Sequence, residues 1–333
     1  MKKLKGFVLA AGLGTRLKPL TNERPKPLLP FFGVPLLFII LEQLAELNVD
    51  EIFVNGHHLS HQIKEAIQNY SIDTKVTFSD ETSKLLGTAG AIGAIKSKVG
   101  DADLIVINGD IVSNFTLREL IHTHYTESAF ATMGLLKHIP PQKTPVWCDK
   151  EKILGFGTSQ RETFLDLKKH SFACIQILSN GFIQSTENTP SEIIPLYQKH
   201  ILGGEKISYF VNDPFWSDIG SPQSYFEAHT QGISQLNNSD FMKSIKLRVC
   251  WKKLKKTPIF NNSSFILNPV NKEDLLNLGS NVFSFDSGNI SKGIKTKNCI
   301  LLAEARPQQG AALENVIVSG MTQVNIRTAS TFD

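Results

Sequence analysis

The residues best placed to do chemistry lie near the start of the chain. Val8-Leu9-Ala10-Ala11 is apolar and runs into Gly12-Leu13-Gly14-Thr15-Arg16-Leu17, with Pro25-Lys26-Pro27 close behind. A strand entering a glycine-rich turn can aim backbone amides at an anion, because no Cβ stands in the way. Arg16 and Lys26 add full positive charge, and a guanidinium can grip a phosphate through paired N–H donors. The chemistry implied is polyphosphate binding. Spacing excludes two familiar phosphate loops. A Walker-type loop closes on Gly-Lys-Ser/Thr, which does not occur here. A dinucleotide fingerprint needs a third glycine three residues after Gly14, where this chain has Leu17.

A second feature is Asn108-Gly109-Asp110, directly after the apolar run 104–107. Ligands of open α/β sheets collect beyond the carboxyl ends of the strands, which puts Asp110 near the phosphate loop. A turn aspartate that hydrogen-bonds its own backbone is the plainer alternative. Asn55-Gly56-His57-His58, with His61, brings three histidines together without a nearby acidic partner, a poor set for zinc.

The elements that must position these residues follow from hydrophobic periodicity. Buried strands are predicted at 7–11, 51–55, 76–79, 104–107 and 129–135. Helices are predicted at 34–47, 60–70 (with Ser60 as cap), 90–96 and 116–126. Such alternation argues for a mostly parallel sheet covered by helices on both faces. Farther on, 152–156, 172–178 and 206–211 read as strands, and 191–199 and 221–231 as helices, the last with Pro222 in its first turn.

The chain has 333 residues, enough for roughly two domains. The expected division is a domain at 1–235, a basic linker and helix at 236–258, and a small domain at 259–333. Residues 241–258 hold seven basic residues and no acidic one. That reads as a solvated face plus linker, with contact to a membrane surface as the sharper alternative. The net charge of +4 suits anionic substrates and is too mild to argue for nucleic acid. No apolar run approaches the length of a membrane span. Cys148, Cys174, Cys250 and Cys299 form no C-x-x-C pair, so reduced thiols in the cytoplasm are expected.

Leu9-Ala10-Ala11-Gly12-Leu13-Gly14-Thr15-Arg16-Leu17, Pro19-Leu20-Thr21 and Arg24-Pro25-Lys26-Pro27-Leu28 together resemble the signature of sugar-1-phosphate nucleotidyltransferases. The resemblance implies a Rossmann-like α/β fold that binds a nucleoside triphosphate and a sugar 1-phosphate and releases pyrophosphate. It also implies that Leu9, Ala10, Ala11, Gly12, Gly14, Thr15, Arg16 and Gly109 meet the nucleotide. Leu86-Gly87-Thr88-Ala89-Gly90 is similar to the family's base-recognition loop, with Gly87 and Thr88 as the reading residues. Asp110 becomes a ligand for Mg²⁺, and Phe215-Trp216-Ser217-Asp218 resembles the second metal site through Asp218. Lys26, Gln176 and Asp218 are the residues the resemblance places at the sugar phosphate. Arg16, Lys26 and Asp110 are the expected catalytic residues.

This chain departs from the family on the sugar side. Relatives carry a Glu-Lys pair where Gly157-Thr158-Ser159-Gln160-Arg161 stands here. Ala173 and Cys174 replace the family's Thr-Gly before Ile175-Gln176. The phrases around residues 86–92 and 57–58 look most like mannose-1-phosphate guanylyltransferases. Uridylyl transfer to N-acetylmuramate 1-phosphate and thymidylyl transfer to glucose 1-phosphate are the alternatives. A sugar-nucleotide-sensing regulatory paralogue is the non-enzyme reading. Gly310-Ala311-Ala312-Leu313-Glu314-Asn315-Val316-Ile317-Val318 resembles a piece of left-handed parallel β-helix, of about one or two coils, a tail that often serves homo-oligomer assembly in the family.

Overall fold

Residues 4–9 alternate between two apolar layers, Phe7 entering one and Val8 the other. A strand buried on both faces needs neighbours on both edges, and this one is central. The computed structural model describes residues 3–140, 144–157, 167–261, 263–268, 278–286, 294–308 and 310–326. In chain order it contains β1 (Leu4–Leu9), α1 (Leu36–Ala45), β2 (Ile52–Gly56), α2 (Ser60–Asn69), β3 (Val76–Asp80), α3 (Gly87–Val99) and β4 (Asp103–Asn108). These are followed by β5 (Ile111–Ser113), α4 (Leu117–Thr126), β6 (Ala131–Leu136), β7 (Lys168–Leu178), α5 (Ile193–Leu202), β8 (Ile207–Asn212), β9 (Trp216–Asp218) and α6 (Pro222–Ile233).

Strand β1 pairs in parallel with β2 and β4, and β2 in parallel with β3. The carboxyl ends of these strands therefore share one edge of the sheet, and the glycine loop and Asp110 emerge there. The sheet is mixed rather than uniformly parallel. Strand β7 runs antiparallel to both β4 and β6, while β8 returns parallel to β6. The chain reaches β7 from a hairpin, Pro145–Cys148 with Ile153–Phe156, and an antiparallel strand needs no crossover helix.

Several element boundaries differ from their sequence expectation. Helix α1 begins only after Pro35, and Ser60 lies inside α2 while Leu59 caps it in a left-handed conformation. The Ser60 hydroxyl instead shares a hydrogen bond with Thr82 at 2.9 Å. Helix α3 starts at Gly87, so the expected loop residues Gly87 and Thr88 form its first turn. Ser221 does cap α6, in a reciprocal arrangement with Ser224.

Residues 236–258 are not an open linker. Helices Ser239–Ser244 and α7 (Leu247–Lys253) fold onto α1, burying Leu247, Cys250 and Trp251. Two of the basic residues find acids there: Lys253 meets Glu42 at 2.5 Å and Lys246 meets Glu46 at 2.6 Å.

Beyond them, Phe265–Leu267, Val282–Ser284, Lys295–Leu301 and Ala312–Ser319 stack as four parallel strands. Val282 pairs with Cys299 and Cys299 with Val316, a repeat of 17 residues. Asn281, Asn298 and Asn315 occupy equivalent positions with φ of 54°, 49° and 54°. Their amides form a ladder, Asn281 donating to Asn298 at 3.0 Å and Asn298 to Asn315 at 2.9 Å. Asparagine tolerates this left-handed backbone, and its side chain pairs with a copy of itself one rung away.

This stack packs directly against Phe32 and helix α6. Phe32 lies 5.1 Å from Phe265 and 5.9 Å from Phe283, ring centre to ring centre. His229 of α6 is fully buried among Phe31, Phe32, Phe283 and Phe285. It accepts the Phe32 amide on Nε2 at 3.1 Å, which leaves the proton on Nδ1 to bond Tyr225 O at 2.9 Å.

Burial lowers the His229 pKa from 6.5 to about 3. Below pH 6.5 the unfolded chain binds a proton that the folded chain refuses, so folding stability is present above that pH and is lost as pH falls toward 3. Replacing His229 with Gln, which keeps an acceptor and a donor but does not titrate, should remove about 1.5 kcal/mol of the stability loss between pH 6.5 and 5. Urea unfolding at several pH values measures the difference, and parallel pH profiles would contradict it.

Candidate active site

The glycine loop leaves β1 at the carboxyl edge. Gly14 has φ +63° and caps a short 3-10 turn, Thr15–Leu17. A side chain there would meet Thr21 Cγ2 at 2.9 Å, and the buried Thr21 hydroxyl donates to Gly14 O at 2.8 Å. Residues 12, 13, 15 and 16 are exposed, and a Cβ on Gly12 would meet nothing within 4 Å. The loop thus has a pinned back and an open front.

The expected catalytic residues converge beside it. Lys26, held in the turn Lys26–Leu28, is only 8% exposed. Its Nζ bonds to Asp110 Oδ2 and lies 3.7 Å from Asp218 Oδ1. The two acids are far apart in sequence but meet because β5 and β9 pair antiparallel, with Ile111 opposite Asp218 and the Ile219 amide on Asp110 O at 3.0 Å. Arg16 reaches the same place: a Cβ added at Gly220 would lie 2.9 Å from Arg16 Nη2 and 3.2 Å from Asp218 Oδ1. Two cations and two carboxylates gather at one place.

Other expected site residues are spent on structure. Ala10 gives its amide to Asn55 Oδ1 at 2.6 Å, and Leu9 O takes the Gly109 amide at 2.8 Å, so these backbone groups brace the loop. Gln176 is 2% exposed and accepts the Tyr197 hydroxyl at 2.6 Å, in the layer between the sheet and α5. Residues 158–161 lie outside the described residues.

At the base loop, Gly87 has φ +67°, and a side chain would come within 2.7 Å of Ser191 O. Ser191 O also takes the Ala89 and Gly90 amides, at 3.0 and 3.3 Å. Gly87 and Thr88 thus stand on a helix start clamped by residues 187–192. The histidines after β2 hold loops: His57 Nδ1 meets Glu81 O at 2.7 Å and His58 Nε2 meets Thr21 O at 2.8 Å. Among the described residues, no group of three or more His, Cys, Asp or Glu gathers to hold a metal ion.

Comparison with known proteins adds likeness of sequence and fold. The nucleotidyl transferase family description matches residues 5–144. A rice protein named "Probable mannose-1-phosphate guanylyltransferase 1" is 25% identical over 333 residues, covering 97% of this chain and 88% of its own. Mannose-1-phosphate guanylyltransferase 1 of Arabidopsis thaliana is 28% identical over 232 residues, 67% of this chain, which spans 63% of that longer relative. Among solved structures, HddC from Yersinia pseudotuberculosis, complexed with GMP-PN, superposes with a TM-score of 0.56 at 23% identity. It covers 69% of this chain and 99% of its own length, and shares the fold. Residues 5–144 thus match the nucleotidyl transferase family, and the chain as a whole is similar to proteins named as sugar-1-phosphate nucleotidyltransferases.

Because a methyl group at Gly220 would press most closely on the flexible end of Arg16, at 2.9 Å, and next on Asp218 Oδ1, at 3.2 Å, Gly220→Ala should change stability by less than about 0.5 kcal/mol yet displace the guanidinium and slow turnover about tenfold. Thermal melts beside steady-state rates test this. Wild-type turnover would detach Arg16 from the reaction.

Proposed function

We propose that this protein transfers a nucleotidyl group from a nucleoside triphosphate to a sugar 1-phosphate. An oxygen of the sugar phosphate bonds to the α-phosphorus while the bond from that phosphorus to the bridging oxygen breaks. The products are an NDP-sugar and pyrophosphate. The convergence of Arg16, Lys26, Asp110 and Asp218 in front of an exposed glycine loop carries the reading.

The nucleophile is already ionised near neutral pH, so no general base is needed. The barrier is the approach of two anions, and the protein must supply alignment and opposite charge. Arg16 and the amides of residues 12–15 hold the β- and γ-phosphates, which become the leaving group. Lys26, nearly buried, neutralises the α-phosphate or the incoming sugar phosphate with little screening by water. The same Nζ bonds to Asp110 and lies 3.7 Å from Asp218.

The donor set fits Mg²⁺. Asp110 and Asp218 are hard oxygen donors, 27% and 20% exposed, that meet at one point already attractive to a cation. Magnesium commonly takes one or two carboxylates and fills its shell with phosphate oxygens and water. When bound there it supplies Lewis-acid stabilisation of charge on the α-phosphate.

The named relatives favour GTP with mannose 1-phosphate or a related sugar phosphate. No helix among the described residues is long and apolar enough to cross a membrane, which is consistent with work in the cytoplasm. We read 1–235 as the catalytic domain, 236–258 as its docked bridge and 259–333 as a small domain of left-handed β-helix type. The stacked 17-residue rungs support the last reading.

A matrix of four NTPs against several sugar 1-phosphates, read by pyrophosphate release, tests the activity. Arg16→Ala and Asp110→Asn should each lower the rate at least about a hundredfold in folded protein. Near-normal turnover in either, or no release with any pair, would overturn the assignment.

A further inference from the structure

The tetrapeptide Asn55-Gly56-His57-His58 has no part in the mechanism above, yet its side chains join the separate loops of the site. Asn55 is 2% exposed. Its Oδ1 accepts the Ala10 amide at 2.6 Å, and its Nδ2 donates to Glu81 Oε1 at 2.7 Å. Glu81, just past β3 and also 2% exposed, accepts the Leu86 amide on Oε2 at 3.2 Å. Ala10 opens the phosphate loop, and Leu86 directly precedes Gly87 and Thr88. One buried chain of hydrogen bonds thus runs from the phosphate loop to the base loop.

We propose that Asn55 and Glu81 are positioning residues that align the phosphate loop and the base loop as one nucleotide site. This rests on the nucleotide-binding reading given above. A buried acid beside a polyphosphate is electrostatically adverse, so it is not there to bind the ligand. Its value is that a carboxylate accepts twice and donates nothing, and both of its partners here are donors. Burial raises the Glu81 pKa, while the Asn55 and Leu86 N–H groups oppose that rise by favouring the ionised form. Glutamine in its place would set a donor against one of two donors. His57 and His58 reinforce the arrangement from the same turn, on Glu81 O and Thr21 O.

Exchanging the two polar groups tests the idea. Asn55→Asp alone opposes acceptor to acceptor, and Glu81→Gln alone opposes donor to donor. Combined, they restore every bond: the introduced carboxylate accepts the Ala10 amide and the new glutamine N–H, and the glutamine carbonyl accepts the Leu86 amide. The total charge equals that of wild type. Each single variant should raise the KM for NTP about tenfold and narrow discrimination between GTP and UTP, with kcat changed less than about threefold. The double variant should return to within about threefold of wild type.

Affinity for GTP and UTP with magnesium, measured by calorimetry, accompanies the kinetics. A double variant no better than the weaker single, or singles that shift only the melting temperature, would overturn the proposal. If the singles do not fold, the double decides alone, wild-type affinity supporting the proposal and a loss of about tenfold or more overturning it. A wild-type chain that binds nucleotide but releases no pyrophosphate defeats only the transfer reaction, and the affinity series still decides. No magnesium-dependent nucleotide binding at all overturns both.

Discussion

The site depends on one charged contact, Lys26 held between Asp110 and Asp218. Pairing β5 with β9 forces two carboxylates toward each other, and like charges at close range in a partly dry place repel. The ammonium group removes that conflict. The same ammonium also fixes the turn on which it sits, and the flanking prolines limit how that turn can move. With Arg16 added, two cations stand beside two carboxylates, and their formal charges balance.

Keeping Lys26 in place draws in the far end of the chain. Arg24, two residues before it, meets Glu304 of the parallel stack at 3.0 Å. Arg24 and the hydrogen bond from Ser319 hold the Glu304 carboxyl below its ordinary value, against the effect of burial. Phe31 and Phe32 follow the lysine turn and pack into the aromatic cluster around His229. At Gly33, with φ +73°, a Cβ would overlap Leu267 Cδ1. The C-terminal stack therefore braces the segment that presents the lysine, and α7 joins in when Trp251 donates to Phe32 O at 2.9 Å.

The nucleotide side is built differently. Its loops are fastened by neutral or singly charged hydrogen-bond chains through Thr21, Asn55, Glu81 and Ser191. Rigid anchoring behind an exposed loop front suits a reaction whose catalysis is mainly alignment.

The local sequence determined the alternation of strands and helices in the first domain, since continuous apolar runs and 3.6-residue spacing are properties of short segments. It also determined the glycine loop with Arg16 and Lys26, and marked Asp110 and Asp218 as acids. A 17-residue repeat of asparagine before apolar residues also stands in the sequence, at positions 281, 298 and 315. Tertiary structure alone decided the rest. Packing buried Gln176 against Tyr197, strand pairing brought Asp110 to Asp218, and Glu42 of α1 with Glu46 just past it docked the expected basic helix. Pairing partners distant in sequence leave no periodic trace in either segment, so these contacts exist only once the chain has closed on itself.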